Sequence, residues 1–168
     1  MKHPENLGSA LSSKHITTDF SEALTEFITE PSTKEDVFNF LDDLHYFTYH
    51  NIDGESLWPL SYPPNILDPE KIAIAEYGES NVGKLKSAYR AGLANRYGKQ
   101  MQIIAGIHFN YSFPEVFWSE IKSLNDLSIR GLKEEVYFGG LRNIQRFNWL
   151  ILYLLGASPV IPKSFFNK

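Results

Sequence analysis

The chain has 168 residues, 43% of them hydrophobic and 21% charged, a balance that suits one folded domain burying about 70% of its unfolded surface and excludes a disordered segment. A formal net charge of −4 supplies no basic field for nucleic acid or an acidic membrane surface. There is no cysteine and hence no disulfide or thiolate chemistry; the longest apolar run, Trp149 to Ala157, is about half the ~20 residues of a membrane helix, and the start lacks a secretory core, so a soluble cytoplasmic protein is expected.

The first predicted element is a strand over Glu22 to Thr29, ending near Pro31. Ser32 with Glu35 three residues on forms a capping box. The helix behind it shows Val37, Phe40, Leu41, Leu44 and Phe47 at helical spacing, so one face is expected on a core. Asn51 to Glu70, with Pro59, Pro63, Pro64 and Pro69, reads as a long loop. Ser80 to Tyr97 is predicted helical and stops at Gly98, a natural C-cap. From Met101 to Phe113 apolar residues alternate with Gln102, Ile104, Gly106, His108, Asn110 and Ser112, which predicts a strand with one apolar and one largely polar face. Pro114 suits the first turn of another helix. Leu132 to Leu155 is predicted helical, closed by Gly156 and Pro159. The fold class expected is mixed α+β, with a sheet covered on one side.

Three patterns could carry chemistry. Glu26 lies inside an apolar strand with Asp19 upstream, and a carboxylate there is costly unless paired or metal-bound. An edge strand with Glu26 in water is the simpler reading of that segment alone. Gln102, His108 and Asn110 share the polar face of the later strand, where wet faces usually carry Lys, Glu and Thr; amides and an imidazole around Gly106 suit ligand hydrogen bonding better. Gly78 to Leu85 nearly matches the phosphate loop G-x-x-x-x-G-K-[ST], but Leu85 cannot supply the hydroxyl that holds magnesium. Tyr89 and Arg90 follow on the helix; Arg90 there could fork a carboxylate or phosphate, or face water.

Taken in order, several segments resemble glutamate–cysteine ligases of the proteobacterial type. They are Gly8 to Leu11, Ile16 to Thr29, Leu57 to Ser61, and Tyr77, Gly78, Ser80, Asn81 and Gly83 followed by Lys86. Then come Tyr89, Arg90, Gly92 and Leu93; Asn95 to Gly98; Gly106, His108 and Asn110; Arg142, Asn143, Arg146 and Phe147; and Leu155 to Pro159. Each is weak alone, and the ordered set is specific. His15 stands where the family has an aromatic residue and Thr25 where it has an aliphatic one.

The resemblance implies a glutamine-synthetase-like fold, a curved antiparallel sheet whose concave face holds metals and substrates, with helices on the other face. It implies ATP-dependent joining of the glutamate side-chain carboxylate to the amine of cysteine, with Mg2+ or Mn2+. Residue by residue it places Asp19, Glu26 and His108 at the metals, His108 completing a metal site or touching phosphate. It puts Glu26, His108 and Arg90 in the catalytic set, Phe20, Tyr89, Gln102 and Ile104 around cysteine, and Asn110 with Arg90 at substrate carboxylate or phosphate groups. Residues 1–168 would then form a single partial catalytic domain. Family members are longer, with an earlier strand bearing paired glutamates and later carboxylates and arginines, so the remainder of the enzyme is the expected partner. Two other readings are a phosphate-loop nucleotide module and a non-catalytic remnant that binds a partner through exposed sheet edges.

Overall fold

β-Branched residues favour extended backbone, and Ile16, Thr17 and Thr18 form a short strand, β1 (Ile16–Thr18), paired antiparallel with β2 (Thr25–Phe27). The register sets Ile16 opposite Phe27, Thr17 opposite Glu26 and Thr18 opposite Thr25. The Asp19 N–H to Leu24 carbonyl bond, 2.9 Å, carries the ladder one pair further, and the Leu24 N–H to Ser21 carbonyl bond, 3.0 Å, closes the connection. The structure is a computed structural model and describes residues 2–63, 66, 68–124, 126–156 and 163. Pro64, Ala157 and Pro159, used in reading the sequence, lie outside the described residues.

Packing divides the described residues into two compact units, one running to Gly106 and including Lys163, and one over residues 107–156. In the first, β1 and β2 lean on α1 (Lys34–Asn51): Leu7, Ile16, Leu44 and Ile52 form a buried cluster joined by Phe27 and Phe40. Burying a leucine side chain such as Leu44 contributes about 1.5–3 kcal/mol. The cap of α1 is Thr33, one residue beyond the predicted Ser32, and its hydroxyl accepts the Asp36 N–H. Leu44 and Thr48, one turn apart, are the buried positions of this helix, while Phe47 is 46% exposed. The apolar stripe is narrower than the sequence predicted.

The second helix, α2 (Asn81–Tyr97), matches expectation: Ser80 caps it by accepting the Gly83 N–H, and Gly98, at φ +81°, ends it. A side chain at Gly83 would meet the Tyr77 carbonyl oxygen at 2.3 Å and that of Gly78 at 2.7 Å, so glycine here permits the close approach of helix and turn. A short turn, α3 (Lys99–Gln102), follows, and the Lys99 ammonium caps the preceding loop by donating to the carbonyls of Glu70 (2.7 Å) and Ile72 (3.2 Å).

The predicted strand over Met101 to Phe113 is not formed. Its first residues lie in α3, and from Ile104 to Pro114 the backbone has no regular structure. A strand needs a neighbour for its amides and carbonyls. Among the described residues the one sheet is the β1–β2 pair, and Ala105 bonds through its N–H to the Ser61 carbonyl instead. Ile107 and Phe109, on the face predicted to be covered, are 99% and 79% exposed.

The second unit is helical. Pro114 holds the N-cap position of α4 (Glu115–Ser123) without a capping bond, one residue before the first turn where it was expected, and Ser128 caps α5 (Ile129–Leu155), which starts a turn earlier than predicted. Trp118 and Leu132 are fully buried between them, with Phe113, Phe117 and Tyr137 in ring contact around Trp118. The far part of α5 is apolar on all sides: Trp149, Leu152, Tyr153 and Leu155 are each more than half exposed. No described helix is long and apolar enough to cross a membrane.

Candidate active site

The hairpin register decides which side chains can act together. Thr17 and Glu26 are directly opposed and point to the same face, away from Ile16 and Phe27, and the extended ladder brings Asp19 to that face one diagonal step from Glu26. Asp19 is exposed and Glu26 half-buried. A pair of carboxylate residues on one face, their Cα atoms about 7–8 Å apart by such diagonal geometry, suits a hard cation that prefers oxygen. Among the described residues no set of three or more His, Cys, Asp and Glu side chains comes together to hold a metal ion.

Behind Asp19 lies a residue that reading the sequence left without a role. The Tyr77 hydroxyl accepts a bond from the Thr18 hydroxyl (2.8 Å) and donates one to the Thr18 carbonyl (2.7 Å). Tyr77 is buried against Ala10 and Ala75. Burial pushes its pKa above the ordinary 10.0; the Thr18 bond and Arg90 oppose the rise, and the charges of Asp19 and Glu26 add to it. The phenol therefore shares an electrostatic neighbourhood with both carboxylates. Its sequence signal was membership of the Tyr77 to Gly83 motif, which names a position without saying what it touches.

Arg90, one of the residues predicted to meet substrate, is committed to the backbone. Its guanidinium donates to the Asp19 carbonyl, to the Thr18 carbonyl at 3.3 Å and to the Lys86 carbonyl at 3.2 Å, and lies 4.6 Å from the Tyr77 ring centre. Glu22 is likewise tied down, its carboxylate accepting the N–H groups of His3 and Glu76. Phe20 is 2% exposed, its carbonyl accepting the Ala75 N–H at 3.0 Å. Tyr89 is exposed on α2, Gln102 is partly covered on α3, and Ile104 is exposed just beyond it. His108 and Asn110 belong to the second unit and are exposed. Because Gln102 is helical, the shared strand face that grouped it with His108 and Asn110 does not exist.

The near-match to a phosphate loop, already lacking a hydroxyl at Leu85, finds little support in the geometry. Ile74, upstream of that loop, makes an isolated bridge with Ser21, and the Gly83 N–H is spent on Ser80. Lys84 lies on the first turn of α2 and pairs with Glu79 at 3.0 Å.

A mixed scaffold of helices and a two-stranded antiparallel sheet, presenting two carboxylates beside an arginine-bearing helix, is the class the geometry defines. The chain belongs to the glutamate–cysteine ligase family, whose model matches residues 1–168. It is 50% identical over 167 residues to the glutamate–cysteine ligase of Aliivibrio fischeri (strain MJ11), covering 97% of this chain and 32% of that protein. It is 48% identical over 165 residues to that of Vibrio vulnificus (strain YJ016), covering 97% of this chain and 31% of the relative. The crystal structure of the Francisella tularensis glutamate–cysteine ligase in complex with AMP superposes with a TM-score of 0.86 at 39% identity, over 98% of this chain and 32% of that one. A bifunctional glutathione synthetase from Pasteurella multocida gives a TM-score of 0.85 at 30% identity, over 95% of this chain and 21% of that one. The chain thus spans about a third of the length of the curated relatives it matches.

Proposed function

We propose that this chain supplies part of the catalytic centre of a glutamate–cysteine ligase, making γ-glutamylcysteine as the first step of glutathione synthesis. The observation that carries it is the placement of Asp19 and Glu26 on one face of the hairpin, in a chain matched along its whole length by that family. Residues 1–168 are read as a partial catalytic domain of a glutamine-synthetase-like fold, and the unpaired segment after Ile104 as a strand whose neighbours come from the rest of that fold. The AMP complex of the Francisella relative supports a nucleotide as co-substrate. A cytoplasmic location is part of the same proposal.

In the reaction a γ-carboxylate oxygen of glutamate attacks the γ-phosphorus of ATP and ADP leaves. The cysteine amine then displaces phosphate from the acyl carbon and loses a proton. Asp19 and Glu26 would hold Mg2+ or Mn2+, and His108 on its own unit is read as a metal or phosphate ligand; a bound ion would neutralise charge on the triphosphate. Oxygen donors fit such an ion, but two carboxylates fall short of the near-octahedral set magnesium demands, so further ligands come from substrate, water and the rest of the enzyme. Phe20, Tyr89, Gln102 and Ile104 border the cysteine, with Phe20 packing from beneath as its burial dictates. Asn110 is placed at substrate carboxylate or phosphate groups.

The test is an ADP-release assay with glutamate, cysteine and magnesium. It is run on the chain alone and with the remaining two-thirds of the Aliivibrio fischeri relative added in trans. The expected result is no turnover by the chain alone, cysteine-dependent turnover on reconstitution, and its loss by orders of magnitude in Glu26→Gln. Turnover by the chain alone, or an active Glu26→Gln complex, would refute the assignment.

A further inference from the structure

We infer that Tyr77 is a positioning residue for the Asp19–Glu26 pair, and that Arg90 works with it through the same backbone instead of touching substrate. The purpose of this arrangement rests on the metal reading above; its existence does not. The Tyr77 hydroxyl is used in both directions on one residue, accepting from the Thr18 hydroxyl at 2.8 Å and donating to the Thr18 carbonyl at 2.7 Å. Both partners are sealed from water, with Thr18 1% and Tyr77 5% exposed. Arg90 lies over the Tyr77 ring and donates to the carbonyls of Thr18 and Asp19, the peptide units on either side of the Asp19 Cα.

Two further bonds complete the frame. The Asp19 N–H reaches Leu24 across the hairpin at 2.9 Å, and the Phe20 carbonyl accepts the Ala75 N–H at 3.0 Å, two residues before Tyr77. Asp19 itself stays exposed, so its backbone is pinned on every side while its carboxylate remains available. That division of labour is what a cation site requires. Ligands must be held to within about 0.5 Å, and a surface aspartate with a loose backbone cannot do it. A planar fork that spends three donors on main-chain carbonyls is also a poor candidate for gripping an anion, and lysine, a point charge, cannot reproduce it.

The test uses the full chain, labelled with 15N, as wild type, Tyr77→Phe and Arg90→Lys. Amide hydrogen exchange at Asp19 and Ala75 should speed up by about tenfold in each variant, the equivalent of one net hydrogen bond, while amides around Leu44 in α1 keep their protection. Because the two residues act through one peptide segment, the double variant should exchange little faster than either single one. A Mn2+ titration on the same samples, read from line broadening at Glu26, should show about three- to tenfold weaker binding in both variants. Unchanged exchange at Asp19 and Ala75 overturns the inference, as does loss of protection spreading to α1, which would make Tyr77 a residue of the general fold. Mn2+ failing to broaden Glu26 in the wild-type chain, with the exchange pattern as expected, would count against the metal reading and leave the positioning in place.

Discussion

Two glycines of α2 should respond to the same substitution with opposite signs. Gly92 sits mid-helix, and a side chain there meets nothing within 4 Å. Gly92→Ala should therefore gain most of the helix-propensity difference, about 0.5–1 kcal/mol. At Gly83 the added carbon would lie 2.3 Å from the Tyr77 carbonyl oxygen, where ordinary contact begins at 3.4 Å. Helix and turn must part by about 1 Å, an overpacking cost of about 1–3 kcal/mol against a smaller gain at the first turn. Gly83→Ala should come out destabilised by about 1–2 kcal/mol. With a urea slope of about 1–2 kcal/mol/M, the two midpoints should straddle the wild type and differ by about 1 M or more in far-UV circular dichroism. Equal stabilisation by both substitutions would show that α2 does not approach the turn this closely.

Lys84→Ala should change stability by less than about 1 kcal/mol, because its pair with Glu79 is mostly solvent-exposed, and should leave ATP binding by the reconstituted enzyme intact. Loss of nucleotide binding, measured by equilibrium dialysis, would revive the phosphate loop. Tyr77 makes a separate prediction at alkaline pH. Its folded pKa is raised above 10.0, so the unfolded chain gives up this proton first and its contribution to stability, complete below pH 10.0, is lost as pH climbs toward the folded value. Urea midpoints followed from about pH 8 to 11 should fall less steeply in Tyr77→Phe than in wild type, and parallel curves would contradict the burial of that hydroxyl.

What could be read from the sequence was whatever is written locally. Ser80 and Gly98 punctuate α2, and both proved to be its caps. β1 escaped because three residues are too few to show a period, and its partner β2 is fixed by pairing across a turn that no spacing rule names. The alternation from Met101 to Phe113 states what each face of a strand would want, but a strand exists only beside another, and the described residues offer none. Arg90 was recognised as a fork without any indication of what it would grip. Which oxygens it meets depends on α2 crossing residues 18–19, a contact more than seventy positions away in the chain. Tyr77 was named only as a motif position, and what it would touch was hidden for the same reason.

Two features of the second unit bear on how the proposed enzyme would be completed. Ile107, Phe109 and Tyr111 alternate with His108 and Asn110 and stand 99%, 79% and 64% exposed. Leu152, Tyr153, Leu154 and Leu155 leave the end of α5 apolar on all sides, exposed by 62%, 80%, 66% and 82%. A helix that is hydrophobic all round belongs in an interior, and a strand pattern with one apolar face belongs in a sheet. Covering such side chains contributes about 1.5–3 kcal/mol each, so a few of them outweigh the cost of associating two polypeptides, and the same groups drive aggregation when left bare. On the proposed reading, the force that completes the fold also completes the site. The sheet neighbours that would order residues 104–113 would also hold His108 and Asn110, which lie where the backbone has no regular structure. Binding of the remainder and activity should then rise together, activity on reconstitution in proportion to the fraction of Trp149 fluorescence that shifts to a buried signal. Full burial of Trp149 without turnover would separate the two and show that the second unit can be covered without assembling the chemistry.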